Sequence, residues 1–341
     1  MITPSFDIIV PVWNNPAETR ECLVSILGCT TTERLIIINN GCDRATELMM
    51  EEFCDHLGER AIYMTMERNI GFVPAVNRGL ARSDADWALI VRPTSTLAGL
   101  CLQMIVEVAA KEQAGMITPH CPADSPLPPP LVKKNCTCIE TAEVSFTQLA
   151  ISRVIRDKIG LFDEELDGGP WCLRDYRHRA NAAGYLTYLL PTIGIKGQAA
   201  TVFGSCERRR KIDDHALATF SQRWGSQSHF AVYLPRETEE AYLSAMLETL
   251  LVAARCGHRF ELILHNRQYK LAMQHGAVCL HSGIIVHKLS TITPLRSLAG
   301  TMVKLMVNDS KLEPVCGLDG IPFPGYATAL PATTLTRLVA S

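Results

Sequence analysis

Apolar residues follow two alternating rhythms along the first two-thirds of the chain. Short, β-branched runs stand at Asp7–Pro11, Leu35–Ile38, Ile62–Met66 and Trp87–Val91. The first ends in a proline, and the second is stopped by Asn39, Asn40 and Gly41. Between the runs, Pro16–Leu27, Thr46–Leu57 and Val73–Arg82 repeat apolar residues at helical spacing,. Strands that alternate with helices in this way predict a mainly parallel, doubly wound α/β sheet. Val144–Ile151 predicts a further strand and Arg153–Ile159 a further helix,.

Beyond Arg223, Trp224 and Gly225 the pattern restarts. Phe230–Leu234 and Phe260–Leu264 predict strands, Glu237–Cys256 a long amphipathic helix, Tyr269–His275 a helix and Ala277–Leu280 a strand,. This reads as a small α/β (three-layer, Rossmann-like) domain, giving domains 1–227 and 228–341. Gly257 fits a left-handed C-cap on the long helix. The five prolines of Pro122–Pro130 exclude regular structure and predict a surface loop or flap,. The hydrophobic pattern alone leaves open whether the second domain is a sulfur-relay or nucleotide-binding module, a dimerisation unit or an acceptor-recognition unit.

The composition suits a globular protein of two domains: 341 residues, 47% hydrophobic and 20% charged,. A net charge of −2 provides no global basic field for nucleic acid or an anionic membrane surface,. The apolar stretch Tyr242–Ala254 carries Glu248 and falls short of the roughly 20 residues a bilayer span needs,. With no signal-peptide pattern at the start, the expectation is a cytoplasmic protein without a transmembrane segment. The cysteines number thirteen, are scattered and form no CxxC pair, so buried thiols are expected rather than a disulfide framework, with Cys279 and Cys316 among them,. His120, Cys121, Cys136 and Cys138 form the one cluster that admits a metal as a minority alternative.

Four segments then resemble family 2 glycosyltransferases of the GT-A fold, in that family's order. Ile8–Asn14, containing Pro11 and Trp13, is similar to the opening strand and its P-x-Y-N loop. Ile36–Asp43, with Asn39, Asn40 and Gly41, is similar to the strand and D-N-G-S-x-D turn that holds uracil and ribose. Asn69–Leu80 fits N-x-G-F-x-x-A-x-N-x-G through Asn69, Gly71, Phe72, Ala75, Asn77 and Gly79, the most specific signal in the chain. Ile151–Glu164 resembles the acceptor-side pattern, which Ala183–Tyr185 and Phe220–Gly225 extend. The resemblance covers roughly residues 5–226.

What the resemblance implies is a nucleotide-sugar donor, UDP-sugar first, held by Pro11, Trp13, Asn14, Asn39, Asn40, Asp43, Asn69, Gly71 and Asn77. Such loops lie at the carboxyl ends of parallel strands, where open α/β sheets bind ligands. From the residues alone, Asn39–Gly41 reads equally well as a turn tolerant of unusual backbone angles, and Gly79 as a close-packing glycine. Asn77 would face the site only if the family geometry holds.

The pattern also breaks. The family's metal-binding aspartate turn is replaced by Arg92, Pro93, Thr94, Ser95 and Thr96, and Lys196 stands about where a metal-binding histidine is expected. Mg²⁺ or Mn²⁺ therefore lacks its usual ligands. Arg92 and Lys196, with Thr94, either replace the metal as fixed groups on the diphosphate or are solvated surface residues. The acidic pair that supplies a general base falls on Trp171, Cys172 and Leu173, so Asp167 and Asp175 are the nearby carboxylates for proton transfer, and Asp175 serves equally well to orient its segment,. Gly168, Gly169 and Pro170 imply a remodelled acceptor loop. Two readings stay open: a hexosyltransferase that moves sugar to a glycan, lipid or protein acceptor, as a monomer or homo-oligomer, and an inactive GT-A module serving binding or assembly.

Overall fold

The computed structural model describes residues 4–97, 99–111, 113–121, 136–167, 170–191 and 206–340. The chain divides into two compact units, Met1–Leu127 with Glu143–Gly225, and Pro128–Ala142 with Ser226–Ser341. In place of one boundary at 227, the chain therefore makes an early excursion into the second unit, over residues 128–142, and then returns to the first.

The first unit contains β1 (Phe6–Val12), α1 (Pro16–Leu27), β2 (Arg34–Asn40), α2 (Arg44–Leu57), β3 (Ala61–Met66), α3 (Phe72–Arg82), β4 (Trp87–Val91), α4 (Gly99–Ala109) and β5 (Ala114–Pro119). After the excursion follow β7 (Gln148–Ser152), α5 (Arg153–Ile159), α6 (Trp171–Ala182), β8 (Leu186–Leu190) and α7 (Cys206–Trp224). Its strands run in the order β3-β2-β1-β4-β7-β5-β8, and β7 alone is antiparallel to its neighbours. Ile8–Val10, Leu35–Ile38 and Ala88–Val91 are wholly buried, as strands covered on both faces require,.

Helix α3 packs closely on β1 and β2 through Gly79. A Cβ on Gly79 would lie 2.5 Å from Ile9 Cγ2 and 2.9 Å from Ile38 Cδ1. Only a glycine lets the helix pack this closely on β1 and β2, which is the close-packing role expected of it. At the other end the buried Arg156 donates to the carbonyls of Leu80 (3.3 Å), Ser83 (3.1 Å) and Ala85 (2.7 Å), which places a cation at the helix C-terminus,.

The second unit has a four-stranded sheet, parallel throughout. The unit contains β6 (Ile139–Glu140), which is no member of that sheet, and β9 (His229–Tyr233), α8 (Glu240–Arg255), β10 (Arg259–Leu264), α9 (Asn266–Gln274), β11 (Ile284–Lys288), α10 (Pro294–Asn308), β12 (Glu313–Cys316) and α11 (Thr333–Ala340). The order is β11-β10-β9-β12. One face buries Leu243, Leu247 and Leu250 of α8 and Leu335 of α11, and the other buries Leu298 and Met302 of α10 with Phe323. This is the expected three-layer arrangement.

Ala277–Leu280 is not a strand: Ala277–Cys279 is a 3₁₀ turn after left-handed Gly276, and the strand is β11, further along. A four-residue apolar run cannot be assigned by periodicity alone. Cys279 is not a free core thiol either, because it forms a disulfide with Cys136. The same bond removes Cys136 from any metal set with His120 and Cys138, and no group of three metal-ligating side chains occurs among the described residues. The excursion is held further by Glu140, whose carboxylate accepts from Arg255 Nε (2.6 Å) and Nη2 (2.8 Å). Ser282 N–H donates to Glu140 O (2.8 Å), and the Thr141 and Ser282 hydroxyls lie 2.7 Å apart. Pro122–Pro130 lies outside the described residues. No helix among the described residues is long and apolar enough to cross a membrane.

Candidate functional site

The site is assembled from the loops that leave the carboxyl ends of β1 to β4. Pro11 is buried in β1 opposite Ile38 of β2, and the strand hands over to half-buried Trp13 and Asn14. Asn14 sits at φ 57°, a left-handed conformation that asparagine tolerates better than most residues,. Its Oδ1 accepts the Asp43 N–H at 2.8 Å, and its own N–H points to Cys42 Sγ at 3.3 Å. The first loop is thereby tied to the second.

The second loop is tied to the third in the same manner. Asn39 is buried, with Oδ1 accepting from Cys42 N–H (2.8 Å) and Nδ2 donating to the Tyr63 hydroxyl (3.1 Å). Asn40 donates through Nδ2 to Gly71 O (3.0 Å) and Asn69 Oδ1 (3.2 Å), and accepts from Ile70 N–H (3.0 Å). Gly41 has φ 71°, and a Cβ there would lie 2.4 Å from the Arg68 carbonyl carbon. Only glycine permits that backbone approach. Asn69 Oδ1 also accepts the Gly71 N–H at 2.9 Å, turning the chain into α3,.

Two charged groups adjoin the first turn of α3. Gly71 opens the helix at φ 102°, and a Cβ on it would lie 2.9 Å from Asp167 Oδ2. The same oxygen stands 3.4 Å from Val73 N, in the positive field of the helix N-terminus,. Burial nevertheless wins, and with some help from Glu164 pushes the Asp167 carboxyl above its ordinary value,. From the end of β4, the Arg92 guanidinium carbon lies 5.5 Å from the centroid of the Phe72 ring, and Phe72 meets Phe146 edge-on at 5.1 Å,.

Other residues singled out in the sequence are committed to the protein itself. The exposed Asp43 caps α2 by accepting the Thr46 N–H at 2.8 Å, and the bonds it takes from Thr46 hold its carboxyl below the usual range,. Asn77 is buried: Nδ2 donates to Phe162 O (2.9 Å) and Glu164 Oε1 (2.9 Å), and Oδ1 accepts from Phe162 N–H (3.1 Å). It fastens the 162–164 segment to α3, with both ends of its amide spent. Phe146 is a member of this neighbourhood that sequence reasoning did not name, while Phe72 and Glu164 stood there as motif positions without a site role.

Asp175 was a candidate proton acceptor, and its geometry argues against that role. It is fully buried in α6 and accepts from Arg179 Nε (2.8 Å), Trp224 Nε1 (2.9 Å) and Arg223 Nη1 (3.4 Å). Arg223 also reaches Asp163 at 2.6 Å. These contacts lock α6 against α7.

The turn after β4 does not suit a divalent cation. Thr94 is half-buried, and the buried Ser95 hydroxyl is directed to Arg92 O (2.8 Å) and Thr147 O (3.0 Å). Hard cations need several oxygen ligands, favour carboxylates and are repelled by a guanidinium. Lys196, Gly168 and Gly169 lie outside the described residues.

Residues 7–153 match the family model described as glycosyl transferase family 2. No curated protein matches the chain. Among solved structures, GalNAc-T7 with UDP, GalNAc and Mn²⁺ is similar at a TM-score of 0.53 and 12% identity, covering 65% of this chain and 49% of that one. The chain thus spans about half of the GalNAc-T7 chain. The mannosyltransferase PcManGT from Pyrobaculum calidifontis, in complex with GDP-Man and Mn²⁺, is similar at 0.53 and 13% identity over 99% of this chain and 86% of that one. At such identities the likeness shows the fold alone, and the sheet order agrees with it: the chain has a GT-A fold, and its match to the family 2 glycosyl transferase model spans residues 7–153.

Proposed function

We propose that the first unit binds a nucleotide-sugar, a UDP-sugar first among them, and transfers the sugar to an acceptor without a metal at the β4 turn. The observation that carries this reading is the wall made by the linked loops, with Arg92 and Asp167 at the first turn of α3. Trp13, Asn14 and Asn39–Cys42 supply the base and ribose side, where peptide groups, a flat ring and left-handed turns lie close together.

Glycosyl transfer builds negative charge on the departing diphosphate while the sugar becomes cation-like. Arg92 supplies a fixed positive charge there, and the N-terminus of α3 adds its oriented N–H groups. Asp167 takes the acceptor proton. Its raised pKa makes it a stronger base than a solvated aspartate, and desolvation keeps it free of competing water,. Asp175 acts as a positioning residue, holding α6 and α7 where the acceptor loop begins.

Isothermal titration of the full chain with UDP, GDP and their sugars, in EDTA and then in Mn²⁺, tests the donor claim. Binding of a uridine nucleotide in EDTA is expected. Binding to none of the panel removes the donor site, and binding that needs Mn²⁺ removes the fixed-cation role of Arg92.

A further inference from the structure

The four most exposed large apolar side chains among the described residues fall in one short stretch of the second unit: Ile292 (90%), Val307 (80%), Leu295 (66%) and Val303 (60%). In α10, Leu295, Ala299, Val303 and Val307 follow one another at intervals of four, so they form a single row along the helix,. Leu298 and Met302, on the adjoining face, are buried in the core. The helix is thus apolar over far more of its circumference than the sheet covers. A solvated helix of a globular protein shows the opposite, with its polar residues on the open side.

Charge says what kind of surface would cover this row. Helix α10 contains Arg296 and Lys304, both exposed, and no acidic residue, and exposed Lys311 follows shortly after. The nearby Asp309 is engaged, accepting from His229 Nδ1 (2.8 Å) and Lys311 N–H (2.9 Å). At 100° per residue, Arg296 and Lys304 border the apolar row on its solvent side. A second copy seated on the same row would bring cations against cations. An apolar row bordered by cations matches an interface of hydrocarbon topped by anionic headgroups.

We infer that α10 docks in the plane of an anionic phospholipid bilayer, with Ile292, Leu295, Val303 and Val307 entering the acyl boundary and Arg296 and Lys304 meeting the headgroup phosphates. The small negative charge of the whole chain does not oppose this, because screening confines the interaction to charges within about 10 Å of the surface. The helix lies on the membrane and does not cross it.

Sedimentation of the full chain with vesicles tests the inference. Phosphatidylcholine vesicles containing phosphatidylglycerol are expected to bind the protein at least about ten-fold more tightly than phosphatidylcholine alone. Val303→Asp with Val307→Asp, and separately Arg296→Glu with Lys304→Glu, are each expected to weaken that binding at least about ten-fold with the melting temperature preserved. Failure of the wild-type chain to bind anionic vesicles overturns the inference, as does undiminished binding by the Arg296→Glu, Lys304→Glu protein. A wild-type dimer that Val303→Asp with Val307→Asp converts to monomer also overturns it, and assigns the row to a second copy.

Discussion

The two sheets present the same edge, the carboxyl ends of parallel strands, and fill it in opposite ways. In the first unit the loops are joined by amides and glycine: Asn14 to Asp43, Asn40 to Gly71, Gly41 against Arg68. Charged groups are left beside them at Arg92 and Asp167. In the second unit aromatic side chains pack at that edge, with Tyr233 and Phe323 buried. The Tyr233 hydroxyl lies 3.0 Å from His265 Nε2, its ring is tilted at 45° to that of Phe323 with centroids 5.4 Å apart, and Phe323 meets Tyr326 edge-on. Gly317 N–H donates to Tyr233 O (2.8 Å), and Tyr242 donates to Gly317 O (2.7 Å). Topology offers a crevice in both places, and the side chains decide whether it stays available to a ligand.

Substitutions at the two edges should therefore separate chemistry from stability. The largest effect is expected from Asp167→Asn, which should lower sugar transfer by about 10²–10⁴-fold. Its melting temperature should hold or rise wherever the wild-type carboxyl is ionised,. A carboxyl whose folded pKa is raised adds stability only while protonated, and that is lost as pH rises through the folded value,. The same sign places the acidic fall in activity above the ordinary aspartate range. Loss of activity with a matching loss of fold would sink this assignment. Phe323→Ala, at the other edge, should cost about 3–5 kcal/mol in denaturant titration and leave the UDP affinity of the folded protein unchanged. A weakened UDP affinity there would erase the contrast.

Smaller effects sharpen it. Arg92→Ala should raise the dissociation constant for the nucleotide-sugar about ten- to a hundred-fold, without rescue by Mn²⁺. The smallest effect concerns the far end of the second sheet, where Glu261 is flanked by His229 (3.2 Å) and His287 (2.5 Å). Burial opposes charge on both His229 and Glu261, yet their mutual bonds, with those from Asp309 to His229 and from His287 to Glu261, raise the histidine and lower the carboxyl. The histidine's contribution is complete below its ordinary 6.5 and fades as pH rises through the raised value; that of Glu261 is complete above its ordinary 4.5 and fades as pH falls through the lowered one,. The melting temperature should then drop by about 2–4 °C from pH 6 to pH 8.5, and His229→Asn should flatten that slope.

Strands β1–β4 and helices α1–α3 were legible because burial on both sheet faces forces unbroken apolar runs, and crossover helices force the longer period. Gly79 was legible as a packing glycine for the same reason. Helix α10 escaped because Leu295, Val303 and Val307 add apolar positions on its open side and blur the helical period. In the site, the residue types were readable and their partners were not. Asn77 spends its amide on Phe162 and Glu164, and Asp167 reaches Val73 across 94 positions of chain. Asp43 and Asp175, marked by motif position, are consumed by a helix cap and by the α6 to α7 contact. Cysteine spacing could not announce a bridge between residues 143 apart,.

The early excursion has a consequence for synthesis. A ribosome releases Cys136 and Glu140 long before Arg255, Cys279 and Ser282 exist, so this strap must wait, reduced and unclasped, while β7 to α7 emerge past it. Ending the gene at Gly225 would strand it for good, leaving a bare thiol and an unmatched carboxylate. Anyone wishing to isolate the first unit would need to replace residues 128–142 with a short polar bridge, or express the remaining C-terminal piece alongside it.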